Sequence, residues 1–355
     1  MPCCNQVVFE IGLSRGGTSI TVYLIRRFLL ALLTIWVISV LSFVVIQLPP
    51  GDSVDAHLKW LEEIGFTLSA DHENDLRAYY GIDEPIHLRY IQWFGRLLKG
   101  DPGRGFFGSN LGHSEDSPVI EVVGDRIWTT IALAGFTIAF TWTFAIPIGI
   151  YSAVRQHSIG DYVFTFLGFT GLAVPDFLLG LVLLYIALAY FDQSVGGLFS
   201  TEQLTQPWSM AKIWDLIKHL WIPAAVLGTS GTASLIRIMR NNLLDELGKP
   251  YVVTARAKGM SPWRVIIKYP VRVAINPLVS TVGYLLPYLI GGSVIVSVVL
   301  GLPTLGPVLL QAIKSQDTPS GAFIMLMLGM LTVIGTFISD ILLAVVDPRI
   351  KFGEQ

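Results

Sequence analysis

Long uncharged blocks separated by polar stretches dominate the pattern of residues along this chain. A helix needs about 20 mostly apolar residues to cross a hydrocarbon layer about 30 Å thick. The blocks that predict membrane spans cover residues 28–51, 127–154, 162–191, 220–236, about 277–300 and 318–346. The pattern therefore predicts an all-α integral membrane protein with six transmembrane helices and an external insert after the first helix.

The fifth block differs from the others because its uncharged run extends from Val273 to Ile313. Such a run is too long for one simple helix, and the prolines and glycines that it carries include Pro277, Gly283, Pro287, Gly291, Gly292 and Pro303. These residues are tolerated within a membrane where neighbouring groups or a cavity satisfy the freed backbone groups. We therefore predict a fifth span followed by an apolar loop, with hinge candidates at Pro277, Pro287 and the Gly291-Gly292 pair.

Two carboxylates interrupt the otherwise uncharged spans, Asp176 in the third and Asp340 in the sixth. A carboxylate at the bilayer centre costs about 2.5–3.5 kcal/mol on insertion scales, so each should face protein, water or an interface. Two roles stay open for Asp176, which follows Pro175: it lines a passage, or it satisfies backbone groups that the proline frees. Asp340 lies near the end of its span, where we expect a structural role.

Basic residues are unevenly distributed between the spans, and this distribution predicts the orientation of the chain. Arg26 and Arg27 precede the first span, and Arg155 follows the second. The segment between the fourth and fifth spans is the most basic and contains Arg237, Arg240, Lys249, Arg256, Lys258, Arg264, Lys268 and Arg272. Because cytoplasmic loops carry an excess of lysine and arginine, we predict that both termini and this segment are cytoplasmic.

Composition agrees with a membrane protein and argues against several other classes. The chain is 52% hydrophobic and 14% charged, whereas soluble domains carry about 25% charged residues. A net charge of −2 gives no argument for a nucleic-acid partner. Cys3 and Cys4 are adjacent, so they predict neither a disulfide framework nor a metal site. The histidines are scattered without metal-ligand spacing, and we predict no metal.

The segment Tyr251 to Pro270, YVVTARAKGMSPWRVIIKYP, is the most informative part of the chain. Pro250 can begin a short helix, and Gly259 can end it in a left-handed conformation. Ser261 and Pro262 can then begin a second helix as N-cap and first residue. A helix of two turns is too short to be stable alone in water, so we expect it to occupy a groove on a partner protein.

The first of these helices has a predicted contact face. Val253, Ala257 and Met260 recur at helical spacing, and Arg256 and Lys258 stand beside them. An exposed apolar stripe flanked by cations is suited to binding another protein.

The run Thr254-Ala255-Arg256-Ala257-Lys258-Gly259, with Pro270 eleven residues after the glycine, resembles the cytoplasmic EAA loop of ABC-importer permeases. More narrowly, it resembles the loop of the dipeptide/oligopeptide/nickel permease family, in which threonine often replaces the first glutamate. In that family the loop forms a coupling helix that binds in a groove of the ATPase subunit. The resemblance therefore implies ATPase coupling for Thr254, Ala255, Arg256, Ala257, Lys258, Gly259 and Pro270.

The resemblance covers nearly the whole chain. Similar stretches are YLIRRFLLALLTIWVISVLSFVVIQLPPGD, YGIDEPIHLRYIQWFGRLLKGDPG, IGGSVIVSVVLGLPTLGPVLLQAI and the DPRI near the C-terminus. The chain departs from the family near the expected external gate, with Ser297 where a glutamate is frequent and Thr304 where a glycine is frequent. QLPPGD, SVGGLFS and LLDELGKPYVVTARAKG resemble members associated with oligosaccharides, so peptides and oligosaccharides both stay open as solutes.

The resemblance implies the type I ABC importer permease fold in a bacterial inner membrane. The implied partners are a second homologous permease subunit, two ABC ATPase subunits and a periplasmic solute-binding protein, together with membrane lipid and no nucleic acid. Our candidates for the translocation path or gate are Asp176, Pro287, Gly291, Gly292 and Ser297.

No residues with catalytic spacing occur in the sequence. It contains no G-x-x-x-x-G-K-[ST] loop, so ATP and Mg are expected on partner subunits and no cofactor is expected on this chain. We therefore predict a non-catalytic subunit. The competing class is a stand-alone ion-coupled secondary transporter, which is expected to show an inverted repeat and more intramembrane ionisable groups.

The predicted organisation has four parts. Residues 1–19 form a cytoplasmic extension, and residues 20–124 form the first span with the periplasmic segment. Residues 125–346 form a five-helix permease core that includes the cytoplasmic coupling loop 241–272. Residues 347–355 form a cytoplasmic tail.

Overall fold

A computed structural model of the chain describes residues 20–48, 51–63, 65–66, 69–82, 84–105, 118–191, 196–200, 202–203, 206–207, 209–281, 285 and 293–346. The helices are α1 Ile20–Ile46, α2 Ser53–Glu63, α3 Ala70–Tyr80, α4 Ile86–Leu97, α5 Val119–Val154, α6 Ile159–Ala173, α7 Asp176–Phe191, α8 Met210–Leu247, α9 Pro250–Ala257, α10 Pro262–Lys268, α11 Pro270–Ala274, α12 Val294–Val299, α13 Leu305–Lys314 and α14 Thr318–Val346. Residues 276–281 are also helical. Over these ranges the fold is all-α, as the sequence predicts.

Four of these helices are long and apolar enough to cross a membrane, namely α1, α5, α8 and α14. The pair α6 and α7 meets the same criterion as one span bent by 106°. The described residues thus contain four spans, or five if the bent pair counts as one. Much of the predicted fifth span, including Pro287, Gly291 and Gly292, lies outside the described residues, so the count of six stays a prediction.

The third predicted span is not one straight helix. α6 ends at Ala173, α7 begins at Asp176, and the chain turns sharply between them at Pro175. Proline has no N–H to continue a helix, and its ring restricts the residue before it. The sequence placed Asp176 in mid-span, whereas the structure places it in the first turn of a new helix.

The second and fourth spans are longer than their uncharged blocks predict. α5 contains 36 residues and α8 contains 38. The uncharged block marks the part of a helix that can cross hydrocarbon, whereas the hydrogen-bonded helix also includes neighbouring polar residues, at the N-terminal end of α5 and at both ends of α8. α8 therefore extends without interruption to the turn before the predicted coupling segment.

The α5–α8 pair forms the most extensive helix contact among the described residues. Gly149 of α5 lies against Met239 and the backbone of Ile236, so close that an added Cβ would stand 2.7 Å from Met239 Cβ. Buried Leu235, Met239 and Leu243 continue this contact toward the end of α8.

A second packing unit joins the first and last helices. Gly321 and Gly329 of α14 lie against Ile46 and Ile38 of α1, where small residues allow close approach of membrane helices. Arg27 of α1 forms an ion pair with Asp340 of α14. This pair gives Asp340 the structural role that its position predicts.

The external segment is tied to itself and to α1. Arg77 of α3 bonds Asp52, Asp55 and Glu73 at 3.0, 2.6 and 3.2 Å. In α4, the Trp93 ring packs 5.5 Å from that of Phe43, centroid to centroid. These contacts place α4 beside the C-terminal end of α1.

Candidate coupling surface

α8 leads into the predicted coupling segment through a turn at Gly248 and Lys249. Pro250 is the first residue of α9, where its missing N–H leaves no helical bond unmade. Gly259 follows with φ +75°, and no heavy atom lies within 4 Å of where its Cβ would stand. Backbone conformation, not lack of space, therefore requires glycine here. The helix and its glycine terminator match the prediction.

The inner face of α9 packs against the following helix. Val252 is 0% exposed and Ala255 5%, and both form a cluster with Val265 of α10. Met260 and Tyr269 are half-buried against the same cluster. The prediction that Met260 shares the partner-facing stripe is wrong, because the left-handed turn at Gly259 ends the helical spacing on which that prediction depended.

The outer face of α9 is open. Val253 is 59% exposed, and Thr254, Arg256, Ala257, Lys258 and Gly259 are also exposed. Two of the seven predicted coupling residues differ: Ala255 is buried within the cluster, and Pro270 is buried as the first residue of α11. These two residues position the surface and do not form part of it. The result is an apolar and cationic patch about two turns long.

α10 and α11 connect this patch to α8. Ile266 of α10 and Val271 and Ala274 of α11 lie in one buried cluster with Leu235 and Met239 of α8. The helical residues 276–281 follow α11 toward the fifth predicted span. A force on α9 therefore acts on packed side chains that join α8 to the start of that span.

A buried ion pair that the sequence analysis missed lies close to the C-terminal end of α8. Asp161 of α6 is 3% exposed, and its carboxylate oxygens accept hydrogen bonds from Arg240 Nε at 3.1 Å and Nη2 at 3.0 Å. The His157 N–H also donates to this carboxylate at 3.0 Å. The Ser158-x-x-Asp161 spacing is a visible helix-start signal, but nothing in the sequence pairs Asp161 with a residue 79 positions away.

Two of the five candidates for the translocation path, Ser297 and Asp176, lie among the described residues. Ser297 at the end of α12 is 0% exposed, and its Oγ accepts a hydrogen bond from the Thr304 hydroxyl at 3.0 Å. Asp176 is half-buried in the first turn of α7. These two helices pack on each other, since Gly180 of α7 adjoins Leu300 just after α12.

The loop that contains Thr304 is anchored on α5. The Thr129 hydroxyl donates to the Pro303 carbonyl, and the Leu305 N–H donates to Thr130 Oγ1 at 3.0 Å. Ser297 therefore lies in a packed and hydrogen-bonded interior. Among the described residues, no group of three or more His, Cys, Asp or Glu side chains is placed to hold a metal ion.

Comparison with known proteins places the chain among transport components. Residues 145–352 match the family of binding-protein-dependent transport system inner membrane components, and residues 20–134 match the N-terminal membrane component of the same system. The oligopeptide transport system permease protein AppB of Bacillus subtilis (strain 168) is 34% identical over 333 residues, which cover 93% of this chain and 99% of AppB. The dipeptide transport system permease protein DppB of Escherichia coli (strain K12) is 29% identical over 93% of this chain and 98% of DppB.

One solved structure is that of the MetNI methionine ABC transporter in inward facing conformations. The alignment covers 64% of this chain and 97% of the chain in that structure. Its TM-score is 0.49 at 17% identity.

Proposed function

This chain belongs to the family of binding-protein-dependent transport system inner membrane components, and we propose that peptides are the solutes that it helps to import. It is a multi-pass, non-catalytic permease subunit of an inner-membrane importer, in which separate subunits hydrolyse ATP. The names of AppB and DppB, an oligopeptide and a dipeptide permease, favour peptides over oligosaccharides. Oligosaccharides had support only from three sequence stretches that resemble family members associated with them.

The exposed face of α9 is the proposed contact with the ATPase subunit. Its outward side chains are Val253, Ala257 and the cations Arg256 and Lys258, while Val252 and Ala255 hold the helix on the permease. A short helix held on one side and open on the other presents a rigid surface to a groove. This geometry is the single observation that supports the coupling role most directly.

Movement of α9 is proposed to pass into the membrane through α8 and α11. Converting a two-state equilibrium from 1:99 to 99:1 requires about 5.5 kcal/mol of differential binding. A partner whose own state depends on ATP can supply that energy at the α9 surface. The sharp turn at Pro175 between α6 and α7 is a candidate point for the membrane helices to bend.

The remaining assembly is proposed from the family. A second homologous permease subunit, two ATPase subunits and a periplasmic solute-binding protein would complete the importer, with both termini of this chain in the cytoplasm. Exposed Phe166 and Phe169 of α6 and Leu181 and Tyr185 of α7 give the bent pair a broad apolar face for lipid or a second subunit.

Reconstituted transport tests the proposal. The complete importer, rebuilt in vesicles with its ATPase and solute-binding subunits, should accumulate labelled peptide only when ATP is present on the ATPase side. Uptake by the permease without ATPases would contradict it and would favour the ion-coupled transporter. Accumulation of an oligosaccharide in place of peptide would overturn the substrate assignment alone.

The coupling surface needs its own variant. Arg256→Glu should reduce uptake at least about tenfold, because reversing one exposed cation in a charge-complementary contact costs more than 1.4 kcal/mol. Lys314→Glu, an exposed charge reversal at the far end of the molecule, is the matched control and should leave uptake unchanged. Equal uptake by both variants would remove Arg256 from the coupling contact.

A further inference from the structure

A groove runs between the external helix α4 and the outer ends of the first and last spans. One wall is lined by Phe43 of α1 and by Thr318 and Pro319 of α14. The other wall is lined by Arg89, Gln92, Trp93 and Arg96 of α4. The four α4 residues follow i, i+3, i+4 and i+7 spacing, so one face of a single helix supplies them.

Hydrogen-bond donors dominate this wall. Trp93 is 2% exposed, and neither its Nε1–H nor the buried Nε–H of Arg96 has an acceptor among the described residues. Unsatisfied buried donors are uncommon, and each calls for an acceptor. Burial also lowers the pKa of the Arg89 guanidinium, against the opposing field of Asp52. Asp52 is itself ion-paired with Arg77 at 3.0 Å.

The depth of the groove is set by the two spans beside it. Phe43 lies three residues before the end of α1, and Thr318 begins α14, so both lie near the ends of helices that are long and apolar enough to cross a membrane. Apolar side chains are also exposed on and just after α4, with Ile91 62% exposed and the C-cap residue Leu98 74% exposed. A helix with arginines on one face and exposed apolar residues on another is suited to the membrane interface.

We propose that this groove binds the phosphate group of a phospholipid in the outer leaflet of the membrane. The two guanidinium groups supply positive charge and planar donors for phosphate oxygens. The bound lipid would fasten α4 to the outer ends of α1 and α14.

Lipid binding by the complete importer tests this proposal. The delipidated complex is titrated with phosphatidylglycerol in detergent, and bound lipid is counted by native mass spectrometry. Arg89→Gln/Arg96→Gln should weaken the apparent Kd at least about tenfold, because charge-assisted bonds to phosphate are lost. Lys99→Gln/Lys314→Gln removes two exposed cations outside the groove and should change the Kd less than about twofold.

Three results would overturn the proposal. The first is equal phosphatidylglycerol affinity in wild type and in Arg89→Gln/Arg96→Gln. The second is displacement of the lipid by inorganic phosphate at equal concentration, which would make the groove a site for free phosphate. If the glutamine variant does not assemble, Arg89→Lys/Arg96→Lys keeps the charge but loses the planar donors. The lysine variant should weaken binding about two- to fivefold. An unchanged Kd in the lysine variant is the third result that would overturn the proposal.

Discussion

Gly259 shows how one backbone angle shapes the coupling surface. Its φ of +75° lies in the region that side chains disfavour by about 1–2 kcal/mol, and the turn that it makes sends Met260 back beneath α9. The residue is exposed, with open space around it. Its importance is therefore conformational and leaves no trace in burial or contacts.

Substitution of Gly259 should separate transport from insertion. Proline fixes φ near −65° and removes the N–H that donates to the Arg256 carbonyl at 3.0 Å, so Gly259→Pro should abolish uptake while the permease still inserts. Gly248→Ala is the control, because Gly248 has φ −83° and no atom within 4 Å of an added Cβ. Uptake assays and membrane fractionation would measure both effects. Normal transport by a well-expressed Gly259→Pro variant would argue strongly against the coupling role.

Ser297 and Thr304 give a second lesson at this scale. The sequence marked both as departures from the related family, and the structure shows that their hydroxyls bond each other at 3.0 Å in a buried turn. Two unusual residues thus form one local feature. Only the fold could join them, because their seven-residue separation crosses a helix end and a loop.

At the scale of elements, α8 is the helix that connects several of the others. It runs for 38 residues from Met210 to the turn before α9, packs along α5, and is tied to α6 by the Asp161–Arg240 pair. A ligand-driven push on α9 would therefore move α8 and the start of α6 together.

Breaking that tie should uncouple the two helices. Asp161→Asn keeps the shape of the side chain but removes the charge that Arg240 contacts through two nitrogens, at a cost of about 1.5–3 kcal/mol. We expect a lower unfolding temperature of the purified complex and a lower transport rate for each ATP hydrolysed. Asp245→Asn, an exposed carboxylate on the same end of α8, is the control. An unchanged ratio of transport to hydrolysis in Asp161→Asn would limit the pair to stability.

The α5–α8 contact makes a prediction about packing alone. A Cβ at Gly149 would stand 2.7 Å from Met239 Cβ and 3.1 Å from the Ile236 carbonyl oxygen, so Gly149→Ala should destabilise by about 1–3 kcal/mol. Gly135→Ala on the same helix meets nothing within 4 Å and should be neutral or slightly stabilising. Thermal unfolding of the two variants in detergent measures the difference. Equal melting temperatures of the two variants would show that α5 and α8 can move apart to accommodate the added methyl group without loss of stability.

For the whole molecule, the open question is orientation. The distribution of arginine and lysine predicts that α9 faces the cytoplasm and α4 the outside. In a chain carrying Cys3→Ser and Cys4→Ser, Val253→Cys should react with an impermeant thiol reagent only in inverted vesicles. Leu98→Cys, 74% exposed on the external segment, should react only in right-side-out cells. The opposite pattern would invert the topology and end the proposed ATPase contact.

The sequence by itself determined the properties that depend on local or repeated chemistry. Long uncharged blocks established a helical membrane protein, because unpaired backbone groups are too costly in hydrocarbon for other structures. Proline before and glycine after a short basic run located α9 to within one or two residues, because these residues restrict or permit particular backbone angles.

Tertiary structure decided what depends on residues that are distant in the chain. Which face of α9 is open, the partner of Asp161 and the groove beneath α4 all required the packing of separate helices. The 106° turn at Pro175 likewise exceeds what a hydropathy pattern can convey, because one apolar run fits a straight helix and a bent pair equally well. Side-chain periodicity fixes which residues share a helix face, but only packing fixes what that face meets.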